Sequence, residues 1–508
     1  MTPQRQVLAD ALERIRSSAK EGLIRSSDMS RTDRERAQAA GWLHTVIKGW
    51  YMVGSEASAQ PGGTVLWFSH FWQFVQRYLG ERYGEGYCLN AEASLDLHVG
   101  STTVPRQLIV MTQHGGAHTV QLPHGTSIQI YPDPANLPNQ IATHNGIRVM
   151  PLPTALCRVT PQYFRANPVN AEIALNLVNE GDLSRVLIAG RNTRAASRLM
   201  GAYRFIGNEE RVNRIKQDMR VSVSRISPTN PFDTEKPLLG NQPRLRSPQT
   251  GRLQAMWANM RPVIVDRFPR IELQIDAETW LTSMEDIYQH DAYNSLSIEG
   301  YRVTPQIIER VRNGDWNPER EGDREHVAAM AAKGYFDAFK LVKDAVREVL
   351  HGASPTASAE KYLQDWYRAL FGASVQAGIL DAVDLAGFRN RPVYIRGSHH
   401  VPPPHEALMD CMETYFGILE KEQSAAVRAV LGHFVFVFIH PYPDGNGRIG
   451  RFLMNLMLAS GGYPWTVIRL AQRDAYVNAL EKASVNQDIA PFTEFIAQEM
   501  QIDWTKKK

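Results

Sequence analysis

Cysteine is scarce: the 508 residues hold three, Cys88, Cys157 and Cys411. They are far apart, form no CxxC pair and match no Cys/His zinc spacing, which excludes a disulfide scaffold and a cysteine-built zinc module. Buried thiols in a reducing compartment are expected. Long apolar runs are also missing. The most apolar stretch, Phe434 to Ile439, is far short of the ~18 residues a membrane span needs. Met1-Thr2-Pro3-Gln4-Arg5 leads into an amphipathic pattern rather than an apolar core, so no secretory signal is expected. No membrane partner is expected, and the expected location is cytoplasmic. Charge of one sign is lacking too: the formal net charge of +3 declares no polyanionic partner. No internal repeat is visible.

What is present is a soluble composition, 43% hydrophobic and 21% charged. The length predicts two or three domains. Residues 1–55 read as three short helices and a hairpin turning at Lys48-Gly49, the parts of a small winged helix-turn-helix. Ser30 or Asp28 caps a helix that Gly41 ends. Residues 56–225 mix helices with strands at Gln107–Met111, Thr119–Leu122, Ser127–Tyr131 and Ile147–Met150, which predicts an α+β domain. Residues 226–260 are proline-rich and read as a linker, or an arm lying on a domain surface. Residues 261–508 are predicted to be mostly α-helical.

The chemistry concentrates at His440-Pro441-Tyr442-Pro443-Asp444-Gly445-Asn446-Gly447-Arg448-Ile449-Gly450-Arg451. An apolar helix ends at His440, stopped by Pro441. Gly445-Asn446-Gly447 lets successive backbone N–H groups turn inward to form an anion nest. A second helix begins there, and its N-terminus adds a positive dipole. Arg448 and Arg451 on its first turn supply guanidinium donors for phosphate oxygens. Asp444 is a carboxylate suited to Mg2+, which takes one or two carboxylates plus phosphate oxygens. His440 carries the side chain best suited to act as a general base. The plain alternative is a glycine-rich turn between two core helices.

The run from His440 to Arg451 resembles the signature of Fic-domain (Fido) proteins, His-Pro-Phe-x-Asp-Gly-Asn-Gly-Arg-x-x-Arg, with Tyr442 where phenylalanine is usual. The resemblance implies a mostly helical domain that transfers AMP from ATP to Ser, Thr or Tyr of target proteins, this chain included. It makes His440 the catalytic base and Asp444 the holder of Mg2+ (or Mn2+). Gly445, Asn446, Gly447 and Arg448 would bind phosphates, and Arg451 would reach the γ-phosphate. Tyr476 falls where the family has an adenine-contacting tyrosine; the other reading is a half-buried core aromatic. His433 is expected to be a packed histidine.

Two further segments gain meaning from that resemblance. Ser295-Leu296-Ser297-Ile298-Glu299-Gly300 fits the family's inhibitory motif, with Ser295 and Glu299 on one helix face. Glu299 would pair with Arg451 in place of the γ-phosphate. Val393-Tyr394-Ile395-Arg396-Gly397, followed by residues 398–404, alternates like a β-hairpin and resembles the flap that positions a target by strand addition. The rival reading there is a metal site of His399, His400 and His405, whose spacing does not place three ligands on one face.

The first 225 residues are similar to antitoxin-type regulators of abortive-infection systems, which implies DNA contact through residues 1–55. That region holds little excess charge: residues 1–60 have nine Lys/Arg against seven Asp/Glu. A winged helix used for protein contacts, including a homodimer, is the alternative. Removal of AMP at the same site, and a DNA-binding regulator that only senses nucleotide, are the alternative functions.

Overall fold

In the computed structural model, the described residues are 3–54, 64–220, 226–242, 245, 247–270, 276–316 and 327–502. The expected domain boundaries at 55/56 and at 225 lie outside them. Contacts divide the chain into two units: residues 1–252 together with 394–401, and residues 253–393 together with 402–508.

In the first unit, α1 (Pro3–Ser18), β1 (Leu23–Arg25), α2 (Arg31–Ala39), β2 (Leu43–Ile47) and β3 (Trp50–Val53) form an antiparallel sheet in the order β1-β3-β2 with its two helices. The Ser30 side chain accepts from the Asp33 amide and starts α2. Three helices were expected; the middle one is a single 3-10 turn, Ser26–Asp28, because three residues cannot close an α-helical turn. Several cations of this region have carboxylate partners. Arg14 pairs with Asp33 at 2.8 Å and Arg31 with Glu35 at 2.7 Å, and Arg25 pairs with Glu81.

The rest of this unit is the expected mixture. The helices α3 (Val65–Tyr83) and α4 (Ala91–His98) accompany a sheet ordered β4-β5-β7-β6, with β4 at Tyr87–Leu89, β5 at Gln107–Thr112, β6 at His118–Gln121 and β7 at Ser127–Pro132. The strands β5 and β7 run parallel. A separate pair, β8 (Ala142–His144) and β9 (Ile147–Val149), and six helices, α5–α10, between Leu152 and Met219 complete it. The proline-rich stretch does lie on this unit. The buried Glu172 carboxylate accepts from the amides of Leu238, Leu239 and Gly240 at 2.7–2.9 Å. The expected linker is not wholly irregular, because α11 (Pro248–Arg267) begins inside it.

The second unit is helical: α12 (Ala277–Ile298), α13 (Pro305–Arg312), α14 (Val327–Leu350), α15 (Pro355–Gln376), α16 (Leu408–Lys421), α17 (Ala425–Ile439), α18 (Asn446–Ala459), α19 (Arg473–Asn486) and α20 (Ala490–Met500). A helix apolar on every face belongs in a core. The sequence of α17, AAVRAVLGHFVFVFI, is of that kind, and twelve of its residues are buried. Its partner α18 is buried at thirteen of its fourteen residues. The turn between them is therefore anchored on both sides by core. No helix among the described residues is long and apolar enough to cross a membrane.

Candidate active site

The turn between α17 and α18 begins at His440, whose backbone is left-handed (φ 53°) and ends α17. That geometry carries the imidazole out of the helix. His440 Nδ1 lies 3.2 Å from the Val437 carbonyl, which assigns the proton to Nδ1 and leaves the Nε2 lone pair free. Burial lowers the imidazole pKa to about 4, against a raising contribution from the Val437 carbonyl. The base form is therefore the resting form at neutral pH.

Arg389, which sequence reasoning missed, fixes this corner. Its guanidinium is 5% exposed and donates to the carbonyls of His440 (2.8 Å), Pro403 (2.6 Å), Arg391 (3.0 Å) and Ile439 (3.4 Å). Its own amide donates to the Pro441 carbonyl at 2.9 Å. No local pattern around residue 389 announces that role.

Asn446 closes the turn. Its Oδ1 accepts from the Tyr442 amide at 3.0 Å and its Nδ2 donates to the Tyr442 carbonyl at 2.8 Å. The Asn446 side chain is committed to shaping the loop, so a phosphate contact by this residue would have to come from its backbone. Tyr442 is fully buried and stacks on Tyr367, with centroids 4.0 Å apart. Its hydroxyl, the departure from the usual phenylalanine, lies 3.2 Å from Gln364 Oε1, so the extra polar atom is satisfied.

Gly445 caps α18, and the first amides of that helix have no helical acceptor. Arg448 is 1% exposed and lies over the rings of Phe371 (4.9 Å) and Tyr301 (5.3 Å). Its Nη2 reaches Asp444 Oδ2 at 3.3 Å, while its Nε and Nη1 are buried without a partner among the described residues. Asp444 is 62% exposed, and its Oδ1 accepts from the Gly445 amide at 2.6 Å. This one open carboxylate beside unsatisfied phosphate donors fits a magnesium ion that takes its other ligands from phosphate and water. Among the described residues no cluster of three His, Cys, Asp or Glu side chains could hold a metal without such help.

Arg451 is the convergence point. Its Nε donates to Ser295 Oγ at 2.7 Å, and its Nη2 donates to the Ser295 carbonyl (3.0 Å) and to Glu299 Oε1 (2.8 Å). Nη1 is buried without a partner among the described residues. Glu299 ends α12, and Gly300 follows with φ 91°, a conformation that lets the chain turn away at once. The carboxylate lies directly over Gly447, where any Cβ would overlap Oε1. Burial pushes the Glu299 carboxyl up, but Arg451 and Arg448 outweigh it and hold the group below its usual value. It is therefore an ionised anion seated at the N-terminus of α18.

Tyr476 is in the core, 4% exposed, with its hydroxyl 2.7 Å from His433 Nε2 and its ring against Phe492 and Phe495. Of its two sequence readings, this environment is the core aromatic. His433 is fully buried and stacks on Phe492, and burial lowers its pKa to about 4.

The expected β-hairpin at 393–404 does not form. Val393 belongs to the second unit, whereas Tyr394, Ile395, Arg396 and Gly397 belong to the first. The backbone turns at Arg396-Gly397, and the one bridge pairs His400 with Thr103. Val401 N donates to the Thr102 carbonyl at 2.6 Å and Val104 N to the His399 carbonyl at 3.1 Å. Pro402, Pro403 and Pro404 have no amide proton, so a returning hairpin strand cannot be built. The three histidines do not gather: His399 packs on Phe68, and His405 lies 3.3 Å from Glu406.

Residues 357–458, which hold the left-handed histidine, the asparagine-closed glycine turn and the two arginines of the following helix, match the model of the Fic/DOC family. Among curated relatives, the protein adenylyltransferase Fic of Culex quinquefasciatus is 40% identical over 247 residues, 46% of this chain and 45% of that protein. The enzyme of the same name from Drosophila mojavensis is 40% identical over 124 residues, 24% of each chain. The matches thus span less than half the length of these relatives. Among solved structures, Fic-1 from C. elegans aligns over 69% of this chain and 88% of its own, with 16% identity and a TM-score of 0.35. A Fic domain containing signaling protein from Bacteroides thetaiotaomicron aligns over 50% and 92%, with 17% identity and a TM-score of 0.36.

Proposed function

We propose that this chain transfers AMP from ATP to a serine, threonine or tyrosine hydroxyl of a protein, itself included, and that Glu299 restrains the transfer. The supporting observation is the Glu299 carboxylate over Gly447 on Arg451. An anion already occupies the place a terminal phosphate would take, and buried guanidinium nitrogens of Arg448 and Arg451 are left for more phosphate oxygens.

With Glu299 displaced, the amides at the start of α18 and the two arginines hold the triphosphate. The target hydroxyl gives its proton to His440 Nε2, its oxygen bonds to the α-phosphorus, and the bond to the diphosphate breaks. Asp444 would hold Mg2+, which supplies charge neutralisation on the leaving phosphates. With Glu299 in place, the γ-phosphate is shut out of its seat and the α-phosphorus is off line. Misplacement of about 1 Å costs ~100-fold.

The relatives named protein adenylyltransferase support the same reading. Residues 1–55 are read as a winged helix on their element order and sheet order alone.

The test is incorporation of labelled AMP by the purified full chain. Glu299→Gly should raise incorporation at least tenfold, and His440→Ala in that background should abolish it. Equal labelling with and without His440 would remove the mechanism. Release of AMP from a modified protein, without incorporation, would assign the reverse reaction.

A further inference from the structure

The last turn of α12 is held by bonds that do not involve the brake. The Ile298 carbonyl accepts from Arg473 Nε at 3.0 Å, and Asn294 Oδ1 accepts from the Leu470 amide at 2.8 Å. Past Gly300 the chain closes back on the same turn, where the Tyr301 amide donates to the Leu296 carbonyl at 3.1 Å. None of these bonds uses the Glu299 side chain. Glu299 can therefore leave Arg451 by turning its own side chain, while Tyr301 stays in place.

Tyr301 is two residues past the brake, yet it touches the other arginine of the site. Its ring lies 5.3 Å from Arg448 Cζ, within the ~6 Å reach of a cation–π contact. Phe371, on α15, makes the same kind of contact at 4.9 Å. Asp444 meets Arg448 at 3.3 Å, but it is 62% exposed and is the carboxylate proposed to take Mg2+. Once it turns to the metal, the two rings are what aim the guanidinium. A ring attracts that charge without using up its N–H groups as a carboxylate would. Arg448 Nε and Nη1 are accordingly buried and without a partner among the described residues.

We infer that Tyr301 is a positioning residue that, with Phe371, holds the Arg448 guanidinium ready for phosphate. This rests on the nucleotide-transfer reading of the site. One short segment then carries two opposed parts on either side of Gly300. Glu299 blocks Arg451, and Tyr301 supports Arg448. Removing the first opens the site, and removing the second weakens it.

The experiment is made in the full chain carrying Glu299→Gly, where the phosphate seat is open. Adding Tyr301→Leu keeps an apolar side chain and removes the ring. It should raise the calorimetric Kd for ATP, and KM for ATP with it, at least threefold, the scale of one cation–π contact. It should leave kcat within threefold, because the His440 corner is untouched. Adding Tyr301→Phe keeps the ring and should hold Kd and KM below that threefold change. Folding of each variant is checked by circular dichroism, and Tyr301→Met replaces Tyr301→Leu should the latter not fold. A Kd that moves less than threefold without the ring overturns the inference. So does an equal loss with Tyr301→Phe, or a fall in kcat with KM unchanged. In the chain that keeps Glu299, Tyr301→Leu should not raise AMP incorporation; a rise would make Tyr301 part of the brake and overturn its supporting role. If Glu299→Gly binds ATP but incorporates no AMP, the transfer reading fails by itself, and the Kd alone then decides whether Tyr301 holds Arg448.

Discussion

Glu299 Oε1 and Arg451 Nη2 lie 2.8 Å apart across 152 residues of sequence, and the contact is possible only because residue 447 has no side chain beneath it. On the proposed reading, brake and phosphate seat share this one small volume.

Gly447→Ala tests that shared volume. The new Cβ would overlap Glu299 Oε1 and lie 3.2 Å from Arg451 Nη1. It should expel Glu299 without activating the protein, because the same methyl occupies the phosphate seat. AMP incorporation by Gly447→Ala should stay at or below the wild-type level, and nucleotide affinity by calorimetry should fall about tenfold or more. Activation resembling that of Glu299→Gly would show that the seats are separate.

The pH profile follows from His440. Only the neutral imidazole takes a proton, so transfer is lost as pH falls through the pKa of that residue. Burial sets this near 4, and the charge of Glu299 acts to raise it, so removing Glu299 lowers it further. The kcat/KM of Glu299→Gly should therefore show no His440 limb between pH 5 and 8, since kcat/KM reports the free enzyme. A limb near the unperturbed histidine value of ~6.5 that disappears on replacing His440 would contradict this.

Arg389 gives a prediction on positioning. Its fork meets four carbonyls, an arrangement that one ammonium cannot reproduce. Arg389→Lys should lower kcat at least tenfold in the Glu299→Gly background, with KM for ATP little changed, and lower stability by about 2–4 kcal/mol in urea unfolding. A change in KM alone would place Arg389 with the nucleotide instead of the base.

Legibility in the sequence followed contiguity. His440 to Arg451 could be read because one turn carries base, carboxylate, glycines and arginines in a single run. Strands such as Ser127–Tyr131 showed through alternation, and α17 through its largely apolar run up to Ile439. Glu299 was reachable only by resemblance, since nothing local in a helix ending in Glu-Gly marks its partner. Arg389 was out of reach, because its meaning lies in contacts with His440 and Ile439, 51 and 50 residues away. The hairpin at 393–404 was misread for a related reason. Val393-Tyr394-Ile395-Arg396 alternates as a strand does, but the bonds of the segment to other backbone are made further on, by His399 to Val104 and by Val401 to Thr102.

That last segment bears on how the chain can be dissected. A fragment starting at Leu253 would keep residues 394–401 but lose Thr102, Thr103 and Val104, which supply their hydrogen bonds. A fragment stopping at Arg252 would keep those three and lose what they hold. Either cut turns satisfied backbone into loose ends. Insertions or tags are better placed elsewhere, and assays of isolated halves would report on molecules that differ from the intact chain at those eight residues.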